Sequence, residues 1–176
     1  MRLEGRTTPL PSAQPISIEV SVDCDAWLAA CPDAAALGVT AARAALAHTA
    51  ALKPPVPLIL GMILTDDAEQ RRLNRTFRGT DAATNVLSFA LSDPADLAPG
   101  APVLLGDVVL ALETIAREAA EQQKPLADHL RHLAVHGVLH LLGFDHQREV
   151  EAAAMEKLEV EILQILGVPD PYRGTM

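Results

Sequence analysis

Three histidines in the C-terminal half of the chain are spaced as ligands of a single metal ion. His136 and His140 stand four residues apart in an apolar-periodic run that predicts a helix. Residues at positions i and i+4 lie one above the other on the same face of a helix, so both imidazoles can reach one ion. Zinc binds such nitrogens at about 2 Å and requires at least one further protein ligand.

The third ligand must come from His132 or His146. His132 and His140 would lie about 12 Å apart along a straight helix, which is too far for both to bind one zinc. Gly143 follows the helical run and can adopt the left-handed conformation that ends a helix. The chain can then turn back and bring His146 to the open side of the pair. We therefore predict His136, His140 and His146 as zinc ligands, and His132 as a hydrogen-bonding neighbour.

The same spacing occurs in the metzincin metalloproteases, with one difference. Their motif is HExxHxxGxxH, and Gly137 stands where those enzymes carry the glutamate general base. Three protein ligands leave one coordination position for water, as in catalytic zinc sites. The pattern therefore predicts a zinc hydrolase that does not use the peptidase base. Asp145 could help to move protons, or it could hold the turn or fix a histidine tautomer.

A cluster of arginines offers a hint about the substrate. Arg71, Arg75 and Arg78 follow i, i+4, i+7 spacing on a predicted helix, with Arg72 beside them. On its own, such a stretch is most simply a solvated helix face. The planar guanidinium group nevertheless binds phosphates well, and phosphodiester hydrolysis builds negative charge on the non-bridging oxygens. Zinc and arginines together favour hydrolysis of a phosphate-containing substrate.

Composition narrows the class of protein. The 176 residues are 49% hydrophobic but only 3% aromatic, which predicts one domain with an aliphatic core. The net charge of −9 argues against a protein that binds nucleic acids or membrane surfaces generally. Cys24 and Cys31 are typical of reduced thiols rather than a disulfide framework. We find neither a secretory signal nor an apolar run long enough to cross a bilayer, so we expect a cytoplasmic protein.

The elements that position these residues predict a single α+β domain over residues 15–176, preceded by a disordered extension at residues 1–14. A small mixed sheet of about four strands is combined with about five helices, one of which is the central metal-binding helix. The predicted strands are 16–22, 56–64, 84–91 and 103–110, with the last two antiparallel. The predicted helices are 40–52, 66–76, 112–123, 128–142 and 149–166.

Four stretches resemble the YbeY family of bacterial endoribonucleases, also called rRNA maturation factors. The segment from His136 to His146 is similar to the family signature. The resemblance extends to three further stretches and covers roughly residues 56–172. These are Leu73-Asn-Arg-Thr-Phe-Arg78 with Thr84-Asn-Val-Leu-Ser-Phe89, then Leu105-Gly-Asp-Val-Val109, and Gly167-Val-Pro-Asp-Pro-Tyr172.

The resemblance implies a single-strand-specific endoribonuclease in ribosomal RNA maturation and ribosome quality control, acting with the ribosome or its small-subunit components. It also implies one zinc ion per chain on the three histidines, and neither a membrane nor a DNA partner. An arginine linked to activity in the family corresponds to Arg78, and we assign substrate binding to Arg71 and Arg75. Two alternatives stay open. One is a zinc hydrolase of another class, and the other is a non-catalytic ribosome-assembly factor with structural zinc.

Overall fold

The computed structural model describes residues 16–49, 57–92, 98 and 100–174, which form a four-stranded mixed sheet and six helices. The strands are β1 (Ile16–Val22), β2 (Leu58–Thr65), β3 (Val86–Ala90) and β4 (Val103–Ala111). The helices are α1 (Ala26–Ala30), α2 (Ala34–His48), α3 (Asp67–Arg78), α4 (Leu112–Glu121), α5 (Leu126–Leu141) and α6 (Glu149–Ile165).

The strand order is β1-β2-β4-β3, which makes β3 an edge strand. β1 and β2 are parallel, as are β2 and β4, whereas β3 runs antiparallel to β4. Because side chains alternate between the two faces of a strand, Ser88 points towards α5 while its neighbour Phe89 points towards α3. The Ser88 hydroxyl donates to the Gly137 carbonyl, and the Phe89 ring contacts Phe77. The edge strand therefore separates α5 from α3.

One cluster of buried aliphatic side chains joins the sheet to α2, α5 and α6. Leu60, Met62 and Leu64 of β2 are buried in it, as are Val138 and Leu139 of α5. Aliphatic burial of this kind contributes about 25 cal/mol for each Å² removed from water. The core thus fixes α5 against the sheet, and with it the two helical histidines. Among the described residues, none of the helices has the length and apolarity to cross a membrane.

The predicted α+β class with a small mixed sheet is confirmed, and so is the antiparallel pairing of 84–91 with 103–110. The predicted helix 40–52 is wrong at both ends, since α2 spans Ala34–His48. Gly38 lies inside this helix because a side chain there would collide with Met62. At the other end, the Thr49 hydroxyl donates to the Ala45 carbonyl as the chain leaves the helix.

The structure contains one helix more than the five predicted. The additional helix is the short α1, which buries Trp27. The Trp27 indole nitrogen donates to the Thr65 carbonyl at 2.9 Å, which ties α1 to the end of β2. The proposed extension at residues 1–14 lies outside the described residues.

Candidate metal centre and its cavity

His136, His140 and His146 meet at the C-terminal end of α5. Each offers one ring nitrogen, and these three atoms lie within 4.8 Å of one another. The Nε2 atoms of His136 and His140 are 3.0 Å apart. His146 comes from the turn after the helix, and its ring stacks on that of His136 with centroids 5.7 Å apart. The structure thus brings the three sequence-predicted ligands together.

The turn after α5 has the geometry expected at Gly143. Gly143 has φ +91°, in the left-handed region that favours glycine. Its N–H donates to the His140 carbonyl, and the Phe144 N–H donates to the Leu139 carbonyl. This pair of bonds is the Schellman motif, which satisfies the last carbonyls of a helix. It also reverses the chain, so that His146 returns to the face that carries the helical histidines.

The donor set fits zinc. Two nitrogens bound to one tetrahedral zinc at about 2.0–2.1 Å would be separated by about 3.3 Å, close to the distance between His136 and His140. Burial, followed by the proximity of His136 and His146, lowers the pKa of His140. The neutral imidazole is the form that binds a metal. These three histidines could therefore hold one metal ion with protein ligands on one side and the cavity on the other.

Glu159 lies beneath the cluster on α6 and is only 1% exposed. Its carboxylate accepts a hydrogen bond from His136 Nδ1 at 2.5 Å and another from the Tyr172 hydroxyl. Burial raises the pKa of Glu159, but hydrogen bonds from His132 and His136 outweigh it and lower the pKa to about 2. The ionised carboxylate holds the His136 proton on Nδ1, which leaves Nε2 free to face the metal position.

His132 has the supporting role predicted for it. Its Nε2 lies 3.5 Å from the Glu159 carboxylate and 3.4 Å from the Tyr172 hydroxyl. Burial and the neighbouring Glu159 carboxylate both raise the pKa of Tyr172 above its usual range, so the phenol remains a hydrogen-bond donor. Within the part of the chain that the structure describes, His132 is not a member of the metal-ligand cluster.

Arg78 shares a cavity of about 580 Å³ with the three histidines. It is the last residue of α3, and its Nη2 donates to the Ser88 carbonyl at 3.3 Å across the edge of β3. The N-terminal end of α3 is fixed by Asp66, whose carboxylate accepts a hydrogen bond from the Glu69 N–H. The helix runs two residues further than the predicted end at residue 76, and so Arg78 is held in its last turn.

The other predicted residues differ in position. Arg71 forms a bidentate ion pair with Asp81, with nitrogen–oxygen distances of 2.8 and 2.9 Å. Neither Arg71 nor Arg75 is among the described residues that line the cavity. Asp145 does line it, and its carboxylate accepts a hydrogen bond from the His146 N–H at 2.7 Å. The Asp145 side chain thus helps to hold the turn that carries the third histidine.

Gly137 shows why the chain lacks the peptidase glutamate. A Cβ atom at this position would lie 2.6 Å from Val108 Cγ1 and 3.2 Å from Ser88 Oγ. Real Cβ atoms essentially never approach another atom that closely, so a side chain here would force Val108 or α5 to shift. Position 137 therefore faces β3 and β4 in a close contact that has no room for a glutamate side chain.

Sequence reasoning missed Glu159, although a signal was present. The buried residues Met155, Ile162 and Leu163 follow helical spacing on the inner face of α6, and Glu159 occupies the same face. Acidic residues are almost never fully buried unless they are paired. A glutamate in the middle of an apolar helix stripe thus indicates a buried cationic or hydrogen-bonding partner. Its identity, the His136 imidazole, could come only from the packing of α6 against α5.

Known proteins place the chain in a family. Residues 34–167 match the family model described as Endoribonuclease YbeY. The chain is 53% identical over 161 residues to Endoribonuclease YbeY of Paramagnetospirillum magneticum, covering 89% of this chain and 97% of that one. It is 49% identical over 169 residues to the protein of the same name from Rhodospirillum rubrum, with coverages of 93% and 84%.

A solved structure agrees at the level of the fold. The solution structure of TM1509 from Thermotoga maritima superposes with a TM-score of 0.50, covering 92% of this chain and 99% of that one. The two sequences are only 21% identical, so this similarity concerns the fold alone. Since the family model extends over most of the chain and relatives align at about half identity, we conclude that the chain belongs to the YbeY endoribonuclease family.

Proposed function

We propose that this protein is a zinc-dependent, single-strand-specific endoribonuclease that acts in ribosomal RNA maturation and ribosome quality control. The observation that carries the proposal is that the three histidines and Arg78 line one cavity. A metal-ligand set and a guanidinium group facing the same space suit a phosphodiester, which develops negative charge as it is cleaved. Relatives named as endoribonucleases support RNA as the substrate.

Each residue has a role in this proposal. His136, His140 and His146 hold the zinc, which when bound acts as a Lewis acid and lowers the pKa of water to about 7. Arg78 is the catalytic residue that binds the reacting phosphate and stabilises its charge in the transition state. Glu159 orients His136 through the hydrogen bond to Nδ1.

Arg71 and Arg75 bind the substrate outside the cavity. Arg75 lies three residues before Arg78, and Arg71 lies four residues before Arg75, so each is about one helical turn from the next. Arg71 must exchange its ion pair with Asp81 for a phosphate, and both partners of that pair are about half exposed. Exposed pairs of this kind are weak, typically below about 1 kcal/mol, so a polyanion can displace the carboxylate.

The size of the cavity supports single-strand specificity. A volume of about 580 Å³ is in the range of small-molecule sites and is closer to the size of unpaired nucleotides than to that of a double helix. The −9 net charge limits general RNA binding, so recognition depends on local contacts or on components of the ribosomal small subunit. We propose a cytoplasmic location, where that substrate is found.

The test is cleavage of a labelled single-stranded RNA by zinc-loaded protein. We expect wild type to cut, and we expect both a chelator-treated sample and a folded His140→Ala variant to lose cleavage. Arg78→Ala should lose cleavage while still binding one zinc, since Arg78 lies in the cavity but is not a ligand. Full activity in Arg78→Ala would contradict its catalytic role.

The alternatives make different predictions in the same assay. If every sample cuts, including the chelator-treated one, the cleavage does not depend on this metal site. If none cuts although zinc is bound one-to-one, the result favours a non-catalytic assembly factor with structural zinc or an activity that depends on a partner. A peptidase-like hydrolase would need a base from elsewhere, because position 137 has no space for one.

A further inference from the structure

An aromatic surface lies on the other side of the edge strand from the histidines. Phe77, next to Arg78 at the end of α3, is 65% exposed, and its ring contacts that of Phe89 with centroids 5.3 Å apart. The chain has only three phenylalanines, one tryptophan and one tyrosine. Trp27 is buried, Phe89, Phe144 and Tyr172 are partly buried, and Phe77 is the only one of these five aromatic residues that is largely exposed. An aliphatic protein thus exposes one of its few aromatic rings beside the cavity.

From this arrangement we infer that Phe77 is a stacking platform for an unpaired base of the RNA. The inference rests on the proposed ribonuclease function and adds a base-binding subsite to it. Aromatic rings beside basic residues bind single strands without strong sequence preference, because every base has a π-face. Phe89 holds the Phe77 ring from the side, with the two planes 63° apart, and leaves much of Phe77 open to solvent.

The position of Arg78 indicates the path of the RNA strand over the protein. Its guanidinium reaches across the outer edge of β3 to the Ser88 carbonyl and faces the histidine cavity. Phe77 precedes it in the helix and lies on the α3 side of the same edge, against Phe89. An RNA strand crossing the edge of β3 therefore meets the histidines and Arg78 with its backbone and Phe77 with a neighbouring base. Base stacking at Phe77 would set the position of the phosphate at Arg78.

The experiment measures binding and base stacking directly. The probe is a 2′-O-methyl single-stranded RNA containing one 2-aminopurine, whose fluorescence falls when the base stacks. Zinc-loaded wild type is compared with Phe77→Leu and Phe77→Met, which keep an apolar side chain without the ring, and with Phe77→Tyr, which keeps the ring. Leu28→Ala is the matched control, since Leu28 is also exposed but lies on α1, which the Trp27–Thr65 hydrogen bond ties to the end of β2, and β4 separates β2 from β3.

We expect Phe77→Leu and Phe77→Met to bind the RNA roughly tenfold more weakly, with less fluorescence quenching, as loss of one base–aromatic stack predicts. Phe77→Tyr and Leu28→Ala should retain wild-type affinity. With cleavable RNA, KM should rise in Phe77→Leu more than kcat falls. Zinc content and the thermal unfolding midpoint identify any variant that has lost its fold. If either Phe77→Leu or Phe77→Met fails to fold, the other one still tests the loss of the ring.

The outcomes separate this inference from the proposed function. Wild-type affinity and quenching in both ring-less variants would show that Phe77 does not stack on a base. The same result is expected if this surface binds a protein instead of RNA. A wild-type protein that binds the probe with Phe77-dependent quenching but does not cut unmodified RNA would overturn the ribonuclease and retain the base subsite. A wild-type protein that neither cuts nor binds would overturn both.

Discussion

At the scale of single residues, the histidine cluster depends on a carboxylate buried beneath it. Glu159 accepts from His136 Nδ1 and from the Tyr172 hydroxyl, and this holds both partners in fixed orientations. An ionised carboxylate makes the stronger charge-assisted bond and increases the basicity of the opposite imidazole nitrogen. Burial raises the pKa of Glu159, but the hydrogen bonds from His132 and His136 outweigh it and lower the pKa to about 2, so the carboxylate is ionised at neutral pH.

Replacing Glu159 with glutamine tests this role. We expect Glu159→Gln to weaken zinc binding by about 10- to 100-fold, because the neutral amide no longer favours the proton on His136 Nδ1. Affinity is measured by competition with a chromophoric zinc chelator. Glu161→Gln is the matched control, since Glu161 also lies on α6 and pairs with His48 at 3.0 Å, away from the cluster. Equal zinc affinity in the wild-type protein and Glu159→Gln would contradict the role.

At the scale of elements, the helix ends that depend on a few neighbouring residues could be predicted and the others could not. The Gly143 turn after α5 is of the first kind and has the expected left-handed geometry. The start of α2 was missed because Gly38, a residue that usually weakens a helix, lies inside it. Its contact with Met62 comes from a strand more than twenty residues away. A contact of that kind has no signature in the local sequence.

The close approach of α5 to the sheet leads to a prediction at this scale. Gly137→Ala should destabilise the protein by about 1–3 kcal/mol, because overpacking against Val108 outweighs the higher helix propensity of alanine. In a Val108→Ala background the colliding Cγ1 is absent, and the same substitution should be much less harmful. The four proteins of this cycle are compared by urea unfolding at equilibrium.

The cycle measures the coupling free energy between the substitutions at positions 137 and 108, and its sign is the result that tests the contact. The double variant should be more stable than the sum of the two single losses predicts, by about 0.5–3 kcal/mol. Additive losses would mean that Val108 is not what excludes a side chain at position 137. In that case Ser88 or Val86, whose side-chain atoms would each lie 3.2 Å from the added Cβ, would be the next partner to test.

At the scale of the whole molecule, the candidate site results from the order of the strands. Arg78 ends α3 on one side of β3, and the histidines lie at the end of α5 on the other. They share a cavity because β3 is the edge strand and nothing further in the described sheet separates them. Local pattern predicted the metal ligands and the arginine helix separately. Their meeting, and the separate position of Arg71 and Arg75, required the long-range topology.

Zinc should also stabilise the whole fold, because its ligands join α5 to the turn that follows it. A ligand at about 100 times its Kd that binds only the folded state adds about 2.7 kcal/mol. For a chain of this size each kcal/mol changes Tm by about 2–4 °C, so chelation should lower Tm by roughly 5–10 °C. The measurement is thermal unfolding of zinc-loaded protein with and without a chelator.

Two variants serve as controls. Arg78→Ala should keep the Tm difference, since its three histidines are unchanged, whereas His140→Ala should lose most of it. An undiminished chelator effect in His140→Ala would show that the stabilising metal binds at another site.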